Sequence, residues 1–342
     1  MRTKRILITG GAGFIGCNAT RFFVTRNWKV TVLDNLSRHG GEQNLRWLRE
    51  SATFDFEEVD IRNRVAVDRI LAEGRFDAVL HLAAQVAVTT SVADPSTDFT
   101  VNALGTFHVL DAIRRHCPEA VFIFASTNKV YGKIAAAEYE LRGNRYTYLN
   151  RPNGISEDEP LDFLSPYGCS KGSADQYTLD FARIYQIRAT SFRQSCIYGP
   201  RQFGVEDQGW VAWFVIAHAL DRQITIYGDG KQTRDILFIE DLLDAYLLAY
   251  ERRDRTAGQI YNIGGGPENQ LSLIELMQIL KQAKGKEVQH SFADWRPGDQ
   301  KVFVADIRKA RTDLGWEPAH GCREGVEKLI TWVDSNLGLF RE

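Results

Sequence analysis

Ser165-Pro166-Tyr167-Gly168-Cys169-Ser170-Lys171 sets a phenol and an ammonium four residues apart. Ser165 is a natural N-cap and Pro166 a natural first helical residue, so the run predicts a helix beginning here. Residues four apart share a helix face, which predicts Tyr167 beside Lys171. A neighbouring ammonium favours phenolate and draws a tyrosine pKa down toward neutrality. Tyr167 is then a candidate general base for a hydroxyl undergoing oxidation. Tyr-x-x-x-Lys arises often by chance as a surface pair. Its place in the chain, after a phosphate cradle and past a fifth strand, argues for chemistry.

The cradle is Gly10-Gly11-Ala12-Gly13-Phe14-Ile15-Gly16, between the strand-like Ile6-Leu7-Ile8 and the first helical pattern. Glycines permit the tight turn and let backbone approach a pyrophosphate, while the helix N-terminus supplies free N–H donors and a positive dipole end. Asp34 closes the second strand-like run 18 residues after Gly16, with Asn35 following. A carboxylate there accepts from the adenosine ribose and repels a 2′-phosphate, so the pattern reads as NAD rather than NADP. Arg38 is the nearby residue that argues the other way. The plainer reading of Asp34 is a turn residue ahead of Asn35.

The elements that must position these groups alternate. Strands are expected at 5–8, 29–33, 54–59, 78–82, 120–125 and 187–193, and helices near 14–26, 64–73, 97–116 and 167–185. Such alternation implies an α/β fold: a Rossmann-type doubly wound parallel sheet with helices on both faces. Residues 133–164, rich in Tyr, Asn, Arg, Gly and Pro, read as a long loop or insertion. Beyond it, strands at 224–227, 236–239 and 259–263 mix with helices at 209–220, 240–252, 272–283 and 323–335. The expected organisation is a dinucleotide-binding domain over 1–193 with the insertion inside it. A smaller mixed α/β lobe over 194–342, mainly for substrate, returns one strand to the large sheet.

Composition excludes other classes. The 342 residues are 44% apolar and 25% charged, with 44 acidic against 42 basic side chains. That balance leaves no basic surplus for nucleic acid or an anionic membrane. No uncharged apolar stretch is long enough to span a bilayer, and Met1-Arg2-Thr3-Lys4-Arg5 runs straight into a strand without a signal-peptide core. The five cysteines (17, 117, 169, 196, 322) fit neither a disulfide framework nor a zinc site, so reduced thiols in the cytoplasm are expected. The seven histidines never fall at metal-ligand spacing, so no metal is expected, and His81 reads as a core residue. Trp210 and Trp213 read as packing, and Cys169 and Cys196 as small hydrophobes.

The three glycines at three-residue spacing, with Asp60-Ile61 after the third strand, His81-Leu82-Ala83-Ala84 after the fourth and Asn102 in the next helix, resemble the extended short-chain dehydrogenase/reductase family. The resemblance covers essentially the whole chain. It implies that Asp60 and Ile61 lie near adenine, that Leu82, Ala83, Ala84 and Asn102 lie along the cofactor, and that Lys171 holds the nicotinamide ribose. It also implies that Thr127, in Ser126-Thr127-Asn128-Lys129-Val130-Tyr131-Gly132, hydrogen-bonds the reacting oxygen, with Ser126 and Asn128 nearby.

Within that family the 4,6-dehydratases carry an Asp-Glu pair after the threonine, for elimination; here those positions are Asn128 and Lys129. A net reductase would use exchangeable NADPH, which Asp34 disfavours. What remains is redox without net change, which is epimerisation. The 4-epimerases usually carry an Asn where Cys196 stands. The Ser126–Gly132 segment, Arg151-Pro152-Asn153-Gly154, Leu161–Gly172, Asp207-Gln208-Gly209-Trp210 and Asp299–Asp306 instead look like the CDP-paratose 2-epimerase (CDP-tyvelose epimerase) family.

That resemblance implies tightly held NAD, a CDP-linked hexose oxidised at C2, and a homodimer or homotetramer. It also implies that Arg234 and Arg296 grip the pyrophosphate; Arg201 and Gln208 are further substrate-side candidates. The alternatives are a UDP-sugar 4-epimerase using the same chemistry and, in another class, a catalytically inactive NAD-binding module.

Overall fold

A computed structural model describes residues 2–296 and 299–341. The first half runs β1 (Arg5–Thr9), α1 (Phe14–Val24), β2 (Lys29–Asp34), α2 (Gly41–Ser51), β3 (Asp55–Glu58), α3 (Arg64–Gly74) and β4 (Ala78–His81). Two short helices, α4 (Val88–Ala93) and α5 (Pro95–Phe99), precede a π-helical turn and α6 (Gly105–His116). Then come β5 (Val121–Thr127), the hairpin β6 (Tyr139–Arg142) and β7 (Arg145–Tyr148), α7 (Pro166–Tyr185) and β8 (Arg188–Gln194). The second half runs β9 (Cys196–Tyr198), α8 (Trp210–Ala219), β10 (Ile224–Tyr227), β11 (Thr233–Phe238), α9 (Ile239–Glu251), α10 (Arg253–Thr256) and β12 (Ile260–Ile263). It ends with β13 (Gln270–Ser272), α11 (Leu273–Lys284), β14 (His290–Ala293), β15 (Val302–Phe303), α12 (Arg308–Leu314) and α13 (Cys322–Ser335).

Seven strands form one parallel sheet in the order β12-β8-β5-β4-β1-β2-β3. Because both faces are covered, the central strands read as largely apolar runs whose alternate residues enter different cores. Ile6 and Ile8 of β1 join one cluster and Leu7 the other; Val121 and Ile123 of β5 oppose Phe122 and Phe124 in the same way. The order reverses between β1 and β4, and the carboxyl ends of those strands open the crevice where such sheets bind ligands. Beyond the sheet, β11 gathers β9, β13 and β15 into a small mixed sheet, and β10 pairs with β14. Strand β12 crosses back to pair with β8 at the edge of the large sheet.

The structure departs from the expected elements in several places, and three bear on the site and the insertion. The continuous helix expected over 97–116 is broken: a π-helical turn over Thr100–Leu104 separates α5 from α6. That turn carries Asn102 inward, where its amide binds both Gln85 backbone groups. Helix α2 was not expected, because its approach through Arg38-His39-Gly40 reads as loop; Gly40 enters it at φ +81°. Within 133–164 the hairpin β6–β7 turns at Gly143, φ +59°.

Under α7 lies a buried ion pair. Arg193 Nη2 of β8 donates to Asp175 Oδ2 of α7 at 2.8 Å, with side chains 2% and 0% exposed. Ser191 Oγ donates to the other carboxylate oxygen at 2.5 Å. Replacing Asp175 with Asn strands the guanidinium in the core, and urea unfolding is expected to show a loss of about 3–5 kcal/mol. Asp254→Asn, opposite Arg188 at the surface, is expected to change stability by less than about 1 kcal/mol. Equal effects for the two variants would refute the buried pair's structural role.

Candidate active site

The crevice at the carboxyl edge holds a cavity of about 640 Å³, within the range of small-molecule sites. One wall is the glycine turn. Gly10 takes φ +70°, and a Cβ there would meet Ala83 N at 2.7 Å; a Cβ on Gly16 would fall 2.1 Å from Gly10 O. Side chains at either position would force the β1–α1 turn away from its neighbours. Helix α1 begins at Gly13 without a side-chain cap, so its first N–H groups face the crevice. Those donors and the positive helix end suit a phosphate group.

Asp34 ends β2 on the same wall. Its carboxylate accepts from Ala12 N at 2.9 Å and Leu36 N at 2.8 Å, so it ties the glycine turn to the strand end as well as facing the cavity. Burial raises its pKa, against those N–H groups. Asn35 donates to Asp60 at 2.8 Å, and Arg62 holds the Asp60 carboxyl down to about 2. Phe14, Ile15, Ile61, Leu82, Ala83 and Ala84 also line the cavity. Arg38 hydrogen-bonds the Gln208 side chain.

Thr127, Tyr167 and Lys171 come together on the opposite wall, with Ser126 beside them. Helix α7 begins as its residues require: Ser165 Oγ accepts from Gly168 N at 3.0 Å and Pro166 occupies the first turn. The expected lowering of the tyrosine by lysine is not found. Burial pushes the Tyr167 phenol up to about 12, opposed by a hydrogen bond with Thr127. Burial also pulls the Lys171 ammonium down to about 7. Lys171 Nζ points to Ala125 O at 2.5 Å and lies 4.2 Å from the centre of the Phe124 ring. Desolvation of the charged form is the largest influence on each, and neither group figures among the charges that act on the other. Ser126 is 4% exposed and its Oγ has no partner among the described residues, a buried hydroxyl facing a ligand space.

Other expected site residues lie off the cavity wall. Asn102 is 1% exposed and binds Gln85 and Ser170, so it braces the wall from behind. Asn128 is buried and accepts from Thr127 Oγ1 at 3.3 Å. Arg234 sits on β11, with Nη2 on Asp299 Oδ1 at 2.7 Å. Arg296 pairs with Asp207 at 2.8 Å and stacks 3.9 Å over the Tyr227 ring; Pro297 and Gly298 of its segment lie outside the described residues. Carboxylates therefore occupy both arginines.

Arg201 and Gln208 do reach the cavity, Arg201 with its guanidinium 4.3 Å over Trp47. Sequence reasoning missed Gln194, Gln202 and Trp210, which also line it. Isolated glutamines and an aromatic on an apolar helix carry no local signal. His81 is neutral in the core, pushed down to about 3 by burial and bonded to Thr9 and Thr106. Among the described residues no cluster of His, Cys, Asp and Glu could hold a metal.

A doubly wound sheet with this glycine turn, and a threonine, tyrosine and lysine across the crevice, defines the extended short-chain dehydrogenase/reductase class. The chain belongs to the family described as GDP-mannose 4,6 dehydratase, whose model matches residues 7–329. It is 42% identical over 336 residues to CDP-paratose 2-epimerase of Salmonella typhi, covering 97% of this chain and 99% of that one. UDP-glucose 4-epimerase of Thermotoga maritima, solved with UDP-glucose, aligns with a TM-score of 0.83 at 31% identity, covering 97% and 99% of the two chains. The Thermus thermophilus UDP-glucose 4-epimerase complex with NAD aligns at 0.81 and 31% identity, with the same coverage.

Asp34→Ala removes the acceptor for Ala12 N–H and Leu36 N–H together with the carboxylate facing the cavity. The purified variant is expected to retain markedly less dinucleotide, measured by chromatography of the heat-released cofactor. Undiminished content would reduce Asp34 to a turn residue.

Proposed function

We propose that this chain is an NAD-dependent CDP-hexose 2-epimerase that interconverts CDP-paratose and CDP-tyvelose, or CDP-glucose and CDP-mannose. It is an epimerase of the nucleotide-sugar class and uses NAD. Asn128 and Lys129, beside the Thr127–Tyr167–Lys171 wall, provide no carboxylate pair for elimination and so set dehydratases aside, while Cys196 stands where the 4-epimerases usually carry an Asn. The 42% identity to CDP-paratose 2-epimerase supports the same choice.

NAD, when bound, supplies the hydride acceptor and, oxidised, a positive ring that favours the anionic form of a nearby phenol. The uncapped start of α1 holds its phosphates, and Asp34 with Asn35 faces the adenosine ribose. Tyr167 takes the proton from the sugar O2, and Thr127 fixes that oxygen. Lys171 holds the nicotinamide ribose. The resulting 2-keto sugar swings about its bond to the diphosphate and presents its other face for reduction. That swing requires a fixed nucleotide, the role of Arg234 and Arg296; planar guanidinium groups grip phosphate oxygens in pairs. Residues 1–193 form the cofactor domain and 194–342 mainly the substrate lobe. A homodimer or homotetramer is proposed, in the cytoplasm; among the described residues no helix is long and apolar enough to cross a membrane.

The second reading, a UDP-sugar 4-epimerase, draws on the 0.83 match to the Thermotoga enzyme. Proton NMR with CDP-glucose, CDP-paratose and UDP-glucose, without added NAD, separates the two. A manno- or tyvelose-type CDP sugar is expected, whereas UDP-galactose would transfer the assignment to the 4-epimerases. In the same assay Tyr167→Phe is expected to abolish turnover while keeping its NAD; substantial residual epimerisation would remove Tyr167 from the mechanism.

A further inference from the structure

The segment 199–209 joins β9 to α8, yet it is tied to the first half of the chain. Pro200 O accepts from Asn18 Nδ2 of α1 at 3.0 Å, and Arg201 O accepts from Asn44 Nδ2 of α2 at 3.3 Å. The Phe203 ring lies 5.7 Å from His39 and so near Gly40 that a Cβ there would meet it at 2.3 Å. Gln208 accepts from Arg38, and Asp207 accepts from Thr89 Oγ1 of α4 at 3.3 Å. Helices α1 and α2 follow β1 and β2, whereas α4 follows β4. The crevice opens between β1 and β4, so the segment is fastened on both of its banks.

The segment is also held in shape. Arg201 takes φ +71°, a left-handed backbone that a residue with a Cβ seldom adopts. Its guanidinium steadies that turn, 4.3 Å over the ring of Trp47 on α2 and 5.7 Å from that of Trp332 on α13. Val205 and Gln208 exchange backbone hydrogen bonds at 2.9 Å, which closes a tight turn at the other end. There Asp207 pairs with Arg296 at 2.8 Å, and Tyr227 Oη donates to Glu206 at 2.9 Å. Arg201, Phe203 and Gln208 line the same cavity as Asp34 and Asn35, so the segment covers the end assigned to the adenosine ribose.

We propose that residues 200–208 form a strap docked across the crevice, and that this strap locks NAD in place between turnovers. This rests on the NAD-dependent epimerase reading above and adds a retention device to it. The chemistry calls for one. An epimerase returns its hydride to the sugar in every cycle, so the dinucleotide is never consumed, whereas the nucleotide sugar must exchange each time. A strap fastened to protein on both banks, and not to the dinucleotide itself, slows release and uptake alike. Arg38 is its latch on the cofactor side, through Gln208.

The test uses the full-length NAD-loaded protein and follows the replacement of bound NAD by an excess of radiolabelled NAD, separated by gel filtration. Asn18→Ala removes the donor to Pro200 O, and Trp332→Leu removes a ring from Arg201; neither residue lines the cavity. Each is expected to speed exchange about fivefold, the effect of one lost hydrogen bond or cation–π contact. The double variant is expected to exchange roughly twentyfold faster, since distant sites add. Half-saturation by NAD, measured by calorimetry on charcoal-stripped protein, is expected to stay within about twofold of wild type, because both rates rise together. Asp34→Ala is the contrast: losing a wall group raises the half-saturating concentration itself. If neither variant speeds exchange, or if half-saturation rises in step with the exchange rate, the strap falls. Should Trp332→Leu not fold, Thr89→Val, which frees Asp207, is judged by the same pair of measurements. If the wild-type protein neither carries NAD nor takes it up, the cofactor reading itself fails and the strap with it.

Discussion

The site hangs on one buried ion pair. Asp175 of α7 and Arg193 of β8 cannot be solvated where they lie, so each holds the other in place. Arg193 also reaches Tyr131 Oη at 3.1 Å in the turn that follows Thr127. Tyr131 passes the chain of bonds to Asn262 on β12, which binds Ile155 O at 2.8 Å and, through its N–H, Glu157 at 2.7 Å. Five separated stretches of sequence thus meet in one polar network beneath the cavity. The helix that carries Tyr167 and Lys171, the strand turn that carries Thr127 and the returning strand β12 keep their mutual positions because no charge in that network has water to fall back on.

The same desolvation governs the chemistry above it. Tyr167 and Lys171 are each pushed toward their neutral forms by burial, and the Asp175 carboxylate is the foremost group drawing the lysine back toward its cation. The core ion pair thereby reaches the catalytic wall electrostatically as well as mechanically. Off the cavity wall, Arg234 and Arg296 are each matched by an aspartate. Strong local fields in a dry crevice are suited to holding a diphosphate still while an uncharged sugar ring turns.

Much of the cofactor half was legible in the residues. Three glycines between a strand and a helix, and an aspartate closing the next strand, state a phosphate turn and a ribose contact in local terms, and Ser165-Pro166 announces the helix that bears Tyr167. Less was legible where contacts are long-range. Asn102 was read as a cofactor contact, yet a π-helical turn sends its amide into Gln85 and Ser170. Arg234 was read in a loop before a strand; it lies within β11, nearly buried against Asp299. Trp210 was read as packing yet lines the cavity, and Gln194 and Gln202 carry no sequence signal, because a glutamine becomes a wall residue only through what folds opposite it.

By itself the sequence determined the class of fold, the glycine turn and the helix that carries Tyr167 and Lys171 on one face, while Thr127 came from the family resemblance. Periodicity, caps and turn residues act over a few positions, and the chain spells them out. Only the tertiary structure decided that burial, and not the neighbouring lysine, dominates the Tyr167 pKa, and that aspartates occupy the two arginines. Desolvation and ion pairing depend on what surrounds a group in space, and those surroundings come from residues distant in sequence, as Arg38 and Gln208 are at 170 positions apart.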